Sequence, residues 1–167
     1  MPTGNFSRID LDLLEPEFLA TLLDAIAACN ERGFEYHATS GWRSYGAQMA
    51  LWAKGRTAPG PVVTHAKGGQ SSHCFGIAVD FVLDQSKSPG IQPDWRPEAY
   101  EVLIEEVQKR GLHSGVGYKD APHVSLTGYI TATDLLPLHL EWEKSADVTS
   151  DTLVRLKKVW KAIPKGG

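Results

Sequence analysis

The chain has 167 residues, 42% hydrophobic and 22% charged, with a formal net charge of −3. That length suits one domain with a real core, and the charge offers no basic footprint for nucleic acid. No apolar run approaches the ~20 residues of a membrane span, and Met1-Pro2-Thr3-Gly4-Asn5-Phe6 lacks the charged and apolar regions of a secretory signal, so synthesis in the cytoplasm is expected.

The first element is a helix from about Glu15 to Asn30. Pro16 suits its first turn, and Leu14, Phe18, Leu22, Ile26 and Cys29 recur at three- and four-residue spacing. Gly33 follows as a stop, and Phe34 to Thr39 then alternates like a strand, with His37 read as an exposed or satisfied strand residue. Gly41-Trp42-Arg43-Ser44 turns the chain into a second helix, Tyr45 to Lys54, whose stripe of Tyr45, Met49 and Trp52 reads as core. Arg43 stands at a strand-to-helix corner, where a guanidinium can grip a carboxylate bidentately or simply be solvated. Residues 54–72, rich in glycine and proline, form a long loop in which Val62-Val63-Thr64 suggests a short strand. Loops of this length usually carry function, and this one also holds His65.

The loop delivers the chain into Ser71-Ser72-His73-Cys74-Phe75-Gly76-Ile77-Ala78-Val79-Asp80, with an apolar, β-branched run around and after Asp80. His73 and Asp80 could not meet at one ion on a straight strand, which would hold them roughly 23 Å apart and on opposite faces. A helix would still separate them by roughly 10 Å along its axis. The chain must bend between them, and Gly76 is the residue best able to allow it. Taken alone, the pair is also compatible with a buried strand that happens to follow a histidine. Cys29 and Cys74 are too few for a disulfide framework; Cys74 adjoins His73 and is read as a spectator.

Residues 84–95 form a polar loop, followed by a third helix from Arg96 to Arg110 with Tyr100, Leu103, Ile104 and Val107 on one face and Gly111 closing it. Glu101, Glu105 and Glu106 look like its solvated face. Leu112 to Tyr118 suggests a strand and turn, and Pro122 and His123 lead a short alternating run, Val124-Ser125-Leu126. Two histidines and a carboxylate make a three-ligand zinc site with a fourth position open for water. Asp120, three residues before His123, could take a proton from that water, whereas His113, the competing third ligand, has no such acidic neighbour. Beyond 128, Thr133 to Leu136 could start a turn that Pro137 interrupts, and Ser150 to Ile163 reads as a final helix packing on the domain.

Ser71, His73, Gly76, Ala78 and Asp80 fit S-x-H-x-x-G-x-A-x-D, and Asp120 and His123 supply an acidic residue, two spacers and a histidine. This resembles the zinc-dependent D-Ala-D-Ala carboxypeptidases and dipeptidases, and most closely their L-alanyl-D-glutamate endopeptidase branch, which includes phage endolysins. The resemblance spans about residues 6 to 127 and takes in Gly41-Trp42-Arg43-Ser44, Gln48 and Pro93-Asp94-Trp95. It implies that His73, Asp80 and His123 bind one Zn²⁺, that Asp120 is the general base, and that Arg43 binds substrate or stabilises the transition state. Gln48 and Ser71 are further substrate-binding candidates, and His65 is not a ligand.

The fold implied is α+β, a small, mostly antiparallel sheet carrying the zinc site with helices against its other face, as in the D-Ala-D-Ala peptidase and hedgehog-like proteins. One zinc peptidase domain is expected over 1–167, with an extension from about 128 that the resemblance does not assign. The implied activity is hydrolysis of a bond in the peptidoglycan stem by a monomer with no nucleic-acid or membrane partner. A wall hydrolase without a signal peptide fits a phage or prophage lysin released by a holin. A carboxypeptidase, or a zinc-binding module that does not hydrolyse, are the alternatives.

Overall fold

The structure, a computed structural model, describes residues 3–84, 90–115 and 120–164. Helix α1 (Pro16–Glu31) starts as its sequence suggests: Pro16 occupies the first turn, and the Glu15 carboxylate accepts hydrogen bonds from the backbone N–H groups of Glu17 and Phe18. Its stripe of Phe18, Leu22, Ile26 and Cys29 is buried. Strand β1 (Tyr36–Ser40) leads through the 41–44 corner to α2 (Tyr45–Ala53), which Ser44 caps by accepting from Ala47 N–H.

The central strand is β2 (Ala78–Asp84). It pairs antiparallel with β1 along one edge, and along the other with β5 (Asp120–Leu126) and the two-residue β3 (Pro93–Asp94). Strand β4 (Leu112–Gly115) pairs antiparallel with the outer edge of β5, so the order is β1-β2-β5-β4, with β3 beside β2. Val79, Phe81 and Leu83 alternate onto the face covered by α1 and α3 (Glu101–Lys109). Asp80 and Asp84 point the other way, so the α+β expectation holds and the polar face of the sheet is left for chemistry.

A second apolar cluster lies behind the turn that precedes β2. Cys74, Phe75 and Ile77 pack with Leu135, Leu138 and Trp142 of α4 (Ala132–Ser145) and Leu156 and Val159 of α5 (Thr152–Lys161). The Trp160 indole N–H donates to the Phe75 carbonyl at 2.8 Å. The final helix therefore packs on the domain, as expected. Pro137, by contrast, does not interrupt a turn: it sits inside α4, where its missing N–H costs a helical hydrogen bond. A Thr131–Asp134 capping box and the burial of Leu135, Leu138 and Trp142 offset that loss.

Three further expectations need correction. Val62 and Val63 form no strand; they are about half exposed, with no pairing partner among the described residues. The stripe of α2 is only partly core: Met49 is 40% exposed, and Trp52 carries Arg56 and Lys67 over its ring, while the buried residue of this helix is Gln48. Glu106 is not on a solvated face. Its side chain is 5% exposed and bonds Lys109 at 3.0 Å, Arg110 at 2.9 Å and Arg32 at 3.2 Å, because the helical period carries it to the stripe of Val102 and Leu103. The turn expected after Leu112 falls on 116–119, outside the described residues.

Hydrogen bonds from Lys109 and then Arg110 hold the Glu106 carboxyl down at about 2, below its ordinary value of 4.5. A depressed carboxyl contributes stability that is present above the unfolded value and is lost as pH falls through the folded one. Glu106→Gln is therefore expected to lower the melting temperature at pH 7, and the gap from the parent should shrink steadily in melts taken towards pH 2.

Candidate metal centre

Three elements converge on the polar face of the sheet. His73 lies in a short 3₁₀ turn, Ser72–Phe75, which Ser71 caps through a hydrogen bond accepted from His73 N–H. Gly76 ends the turn at φ +68°, a left-handed conformation that reverses the chain into β2. A Cβ there would collide with the Leu13 carbonyl, so both the dihedral angle and the space require glycine. Asp80 follows on β2, and the β2–β5 register sets it directly opposite His123, on the same face.

The donor atoms of His73, Asp80 and His123 all lie within 4.8 Å of one another. His73 Nε2 is 3.3 Å from Asp80 Oδ2, and His123 Nδ1 is 2.9 Å from Asp80 Oδ1. His73 Nδ1 is 2.8 Å from the Gly41 carbonyl, which can only accept, so this nitrogen carries the proton and Nε2 is left as the donor atom facing Asp80. Burial by itself would raise the Asp80 carboxyl; its close contacts with His123 and His73 outweigh that and hold the group well below the usual carboxylate range. Donors sharing one zinc at ~2.0–2.2 Å sit about 3.3 Å apart when tetrahedral, so a His₂Asp set with this spacing fits the ion.

Asp120 joins the same cleft, a space of about 410 Å³ also lined by His65, Ser71, His113, His123, Ser125 and Ile130. In a regular strand, residues three apart face opposite sides, but the β4–β5 ladder shifts register between Ser114 and Gly115. Gly115 permits it: a Cβ there would meet the Asp120 carbonyl and the His123 side chain. Partial burial, and then the Asp80 carboxylate, push the Asp120 carboxyl up. His113 lies on β4, two strand spacings or about 10 Å from β2, outside the three-donor cluster. Cys74 is fully buried and also outside it.

Arg43 lies beside the cluster, with Nη2 3.9 Å from Asp80 Oδ2. Its guanidinium donates to Gln48 Oε1 and to Ser40 Oγ, each at 2.9 Å, and its backbone N–H donates to the His73 carbonyl. Gln48 does not line the cleft. It is 1% exposed, and its amide donates to the Ala66 carbonyl at 2.8 Å, so it anchors Arg43 and the 54–72 loop from beneath. Ser71 does line the cleft while capping the His73 turn. The Gly41 carbonyl contact to His73 and the tight space at Gly115 are parts of the site that the sequence does not show, although Gly41 already marks a corner there.

Fold and site together define a small α+β protein with a His-His-Asp donor cluster and a neighbouring carboxylate on the open face of its sheet. The family profile of VanY, D-alanyl-D-alanine carboxypeptidase, matches residues 12–120, and the chain belongs to that family. It is 33% identical over 110 residues to the peptidoglycan L-alanyl-D-glutamate endopeptidase CwlK of Bacillus subtilis (strain 168), covering 60% of this chain and 65% of that relative's length. The crystal structure of the Serratia marcescens L-Ala D-Glu endopeptidase ChiX has a similar fold, with a TM-score of 0.50 and 20% identity, covering 70% of this chain and 83% of that one. The family match ends at Asp120, so His123, α4 and α5 lie beyond it.

Asp80→Ala should remove one equivalent of zinc from protein loaded and then dialysed, measured by elemental analysis. Unchanged content would take Asp80 out of the donor set.

Proposed function

We propose that this chain is a zinc-dependent peptidoglycan peptidase that hydrolyses the bond between L-alanine and D-glutamate in the stem peptide. The observation that carries this reading is the convergence of His73, Asp80 and His123 within 4.8 Å, with Asp120 on the wall of the same cleft. Membership of the VanY family and the likeness to CwlK support it.

In this reading His73, Asp80 and His123 hold the zinc, which supplies Lewis acidity to activate water and polarise the scissile carbonyl. Asp120 takes the water's proton at a carboxylate oxygen and returns it to the departing amine. Arg43, held in place by Ser40 and Gln48, binds substrate and offsets negative charge developing on the carbonyl oxygen. Gln48 acts through Arg43, and Ser71 contributes to the cleft wall while it caps the turn. The chain acts as a monomeric, single-domain peptidase on the cell wall, in the manner of a phage or prophage lysin released by a holin.

A D-Ala-D-Ala carboxypeptidase is the second reading, favoured by the description of the family itself. Digestion of purified peptidoglycan with zinc-loaded protein, followed by mass spectrometry of the released ends, separates the two. New amino-terminal D-glutamate is expected; free D-alanine would move the assignment to the carboxypeptidase, and no product from zinc-holding protein would leave a binding module.

Two substitutions test the roles. Asp120→Asn should cut turnover by at least ~10²-fold, the scale of general-base catalysis, while zinc content and melting temperature hold; loss of zinc would refute the assigned role. Arg43→Lys should lower kcat/KM by about 10²-fold with zinc retained, since a lysine cannot keep both tethers and the forked geometry.

A further inference from the structure

The sheet carries a second histidine–carboxylate cluster at the far end of β2. His37 lies on β1 opposite Val82, and Glu35 and Asp84 face each other across the same ladder, where Asp84 N–H donates to the Glu35 carbonyl at 3.0 Å. Because side chains alternate, Glu35, His37 and Asp84 share the face that bears Asp80. Asp84 is four residues beyond Asp80 on that strand, so the two clusters lie about 13 Å apart.

His37 Nε2 is 3.8 Å from Glu35 Oε2 and 3.9 Å from Asp84 Oδ2, and the three donor atoms lie within 4.8 Å of one another. Those separations are too long for hydrogen bonds, which close at about 2.7–3.2 Å. They stand a little beyond the ~3.3–3.6 Å that separates ligands ~2.0–2.2 Å from a tetrahedral centre, close enough for the three donors to draw in on one ion. An independent observation is the state of the imidazole. Both ring nitrogens of His37 are shielded from solvent, and neither has a hydrogen-bond partner among the described residues. Buried polar nitrogens are rarely left this way, and ligation at Nε2 satisfies one of them. Asp84 is pre-oriented as well: its Oδ1 accepts from the Gln92 N–H at 3.0 Å while Oδ2 faces the histidine.

We propose that Glu35, His37 and Asp84 form a second site for a divalent transition metal of the zinc class, separate from the His73–Asp80–His123 cluster. One imidazole with two carboxylates is a borderline donor set suited to zinc and its first-row neighbours. The ion joins the entry of β1 to the exit of β2, and so braces the strand on which Asp80 stands.

The test is zinc stoichiometry by elemental analysis on the full chain, loaded with zinc alone and dialysed, with circular dichroism to confirm folding. The parent should hold two equivalents, and His37→Ala and Asp80→Ala one each. The double variant should hold none, and excess zinc should raise the melting temperature of Asp80→Ala but not of the double variant. If His37→Ala does not fold, Glu35→Gln, at a side chain 61% exposed, should still release the second equivalent at lower chelator concentration than the parent does. One equivalent in the parent, lost with Asp80→Ala, would overturn the proposal and leave His37 as the centre of an ion triad. A second equivalent indifferent to both His37→Ala and Glu35→Gln would overturn it too. If instead the His73 cluster is the one that holds no metal, Asp80→Ala keeps the parent's content while His37→Ala loses it.

Discussion

The antiparallel pairing of β2 with β5 is the constraint on which the rest depends. Its register sets Asp80 opposite His123 and, one residue along, Val79 opposite Val124. A slip of one residue in β5 would turn His123 into the apolar layer beneath α1 and α3, away from Asp80, and bring Val124 out to the cleft. Burial of Val79, Phe81 and Val124 thus fixes the positions of Asp80 and His123, two of the three candidate donors, on the opposite face.

His73 is supplied by a different device. It is the only one of the three clustered donors that does not lie in a strand, and its position rests on the Gly76 reversal, the Gly41 carbonyl and the apolar support behind Phe75. That support comes largely from α4 and α5. The Trp160 bond to the Phe75 carbonyl and the Tyr45–His139 hydrogen bond at 2.8 Å connect these helices to the turn and to α2. Residues beyond the family match therefore shape the cleft, both from behind and through Ile130 on its wall.

The site's electrostatics follow the same layout. Asp80 contacts both histidines and stands near Arg43, so it stays ionised, while at Asp120 desolvation and the Asp80 charge outweigh the pull of the same histidines and push the carboxyl the other way. Two neighbouring carboxyls are thereby shifted in opposite directions.

Local sequence carried much of this. The stripe of α1, Pro16 at its start, the strand around Asp80 and the need for a bend at Gly76 were all legible, because each depends on residues within a turn or two of one another. The candidate donors came from the resemblance carried by Ser71, His73, Gly76, Ala78 and Asp80 with Asp120 and His123, since spacing alone left His73 and Asp80 compatible with a buried strand. What tertiary structure decided was everything set by contacts distant in sequence. Pro137 is tolerated because α4 buries a stripe against Phe75 and Ile77, and Glu106, carried inward by its own helix, is met there by Arg32 from just beyond α1. Gln48 lies beneath Arg43 rather than in the cleft, and Asp120 reaches it only through the shifted ladder at Gly115. Strand register and the packing of one element on another are long-range choices; a single chain read in order shows which residues are able to meet, and only the folded sheet decides which of them do.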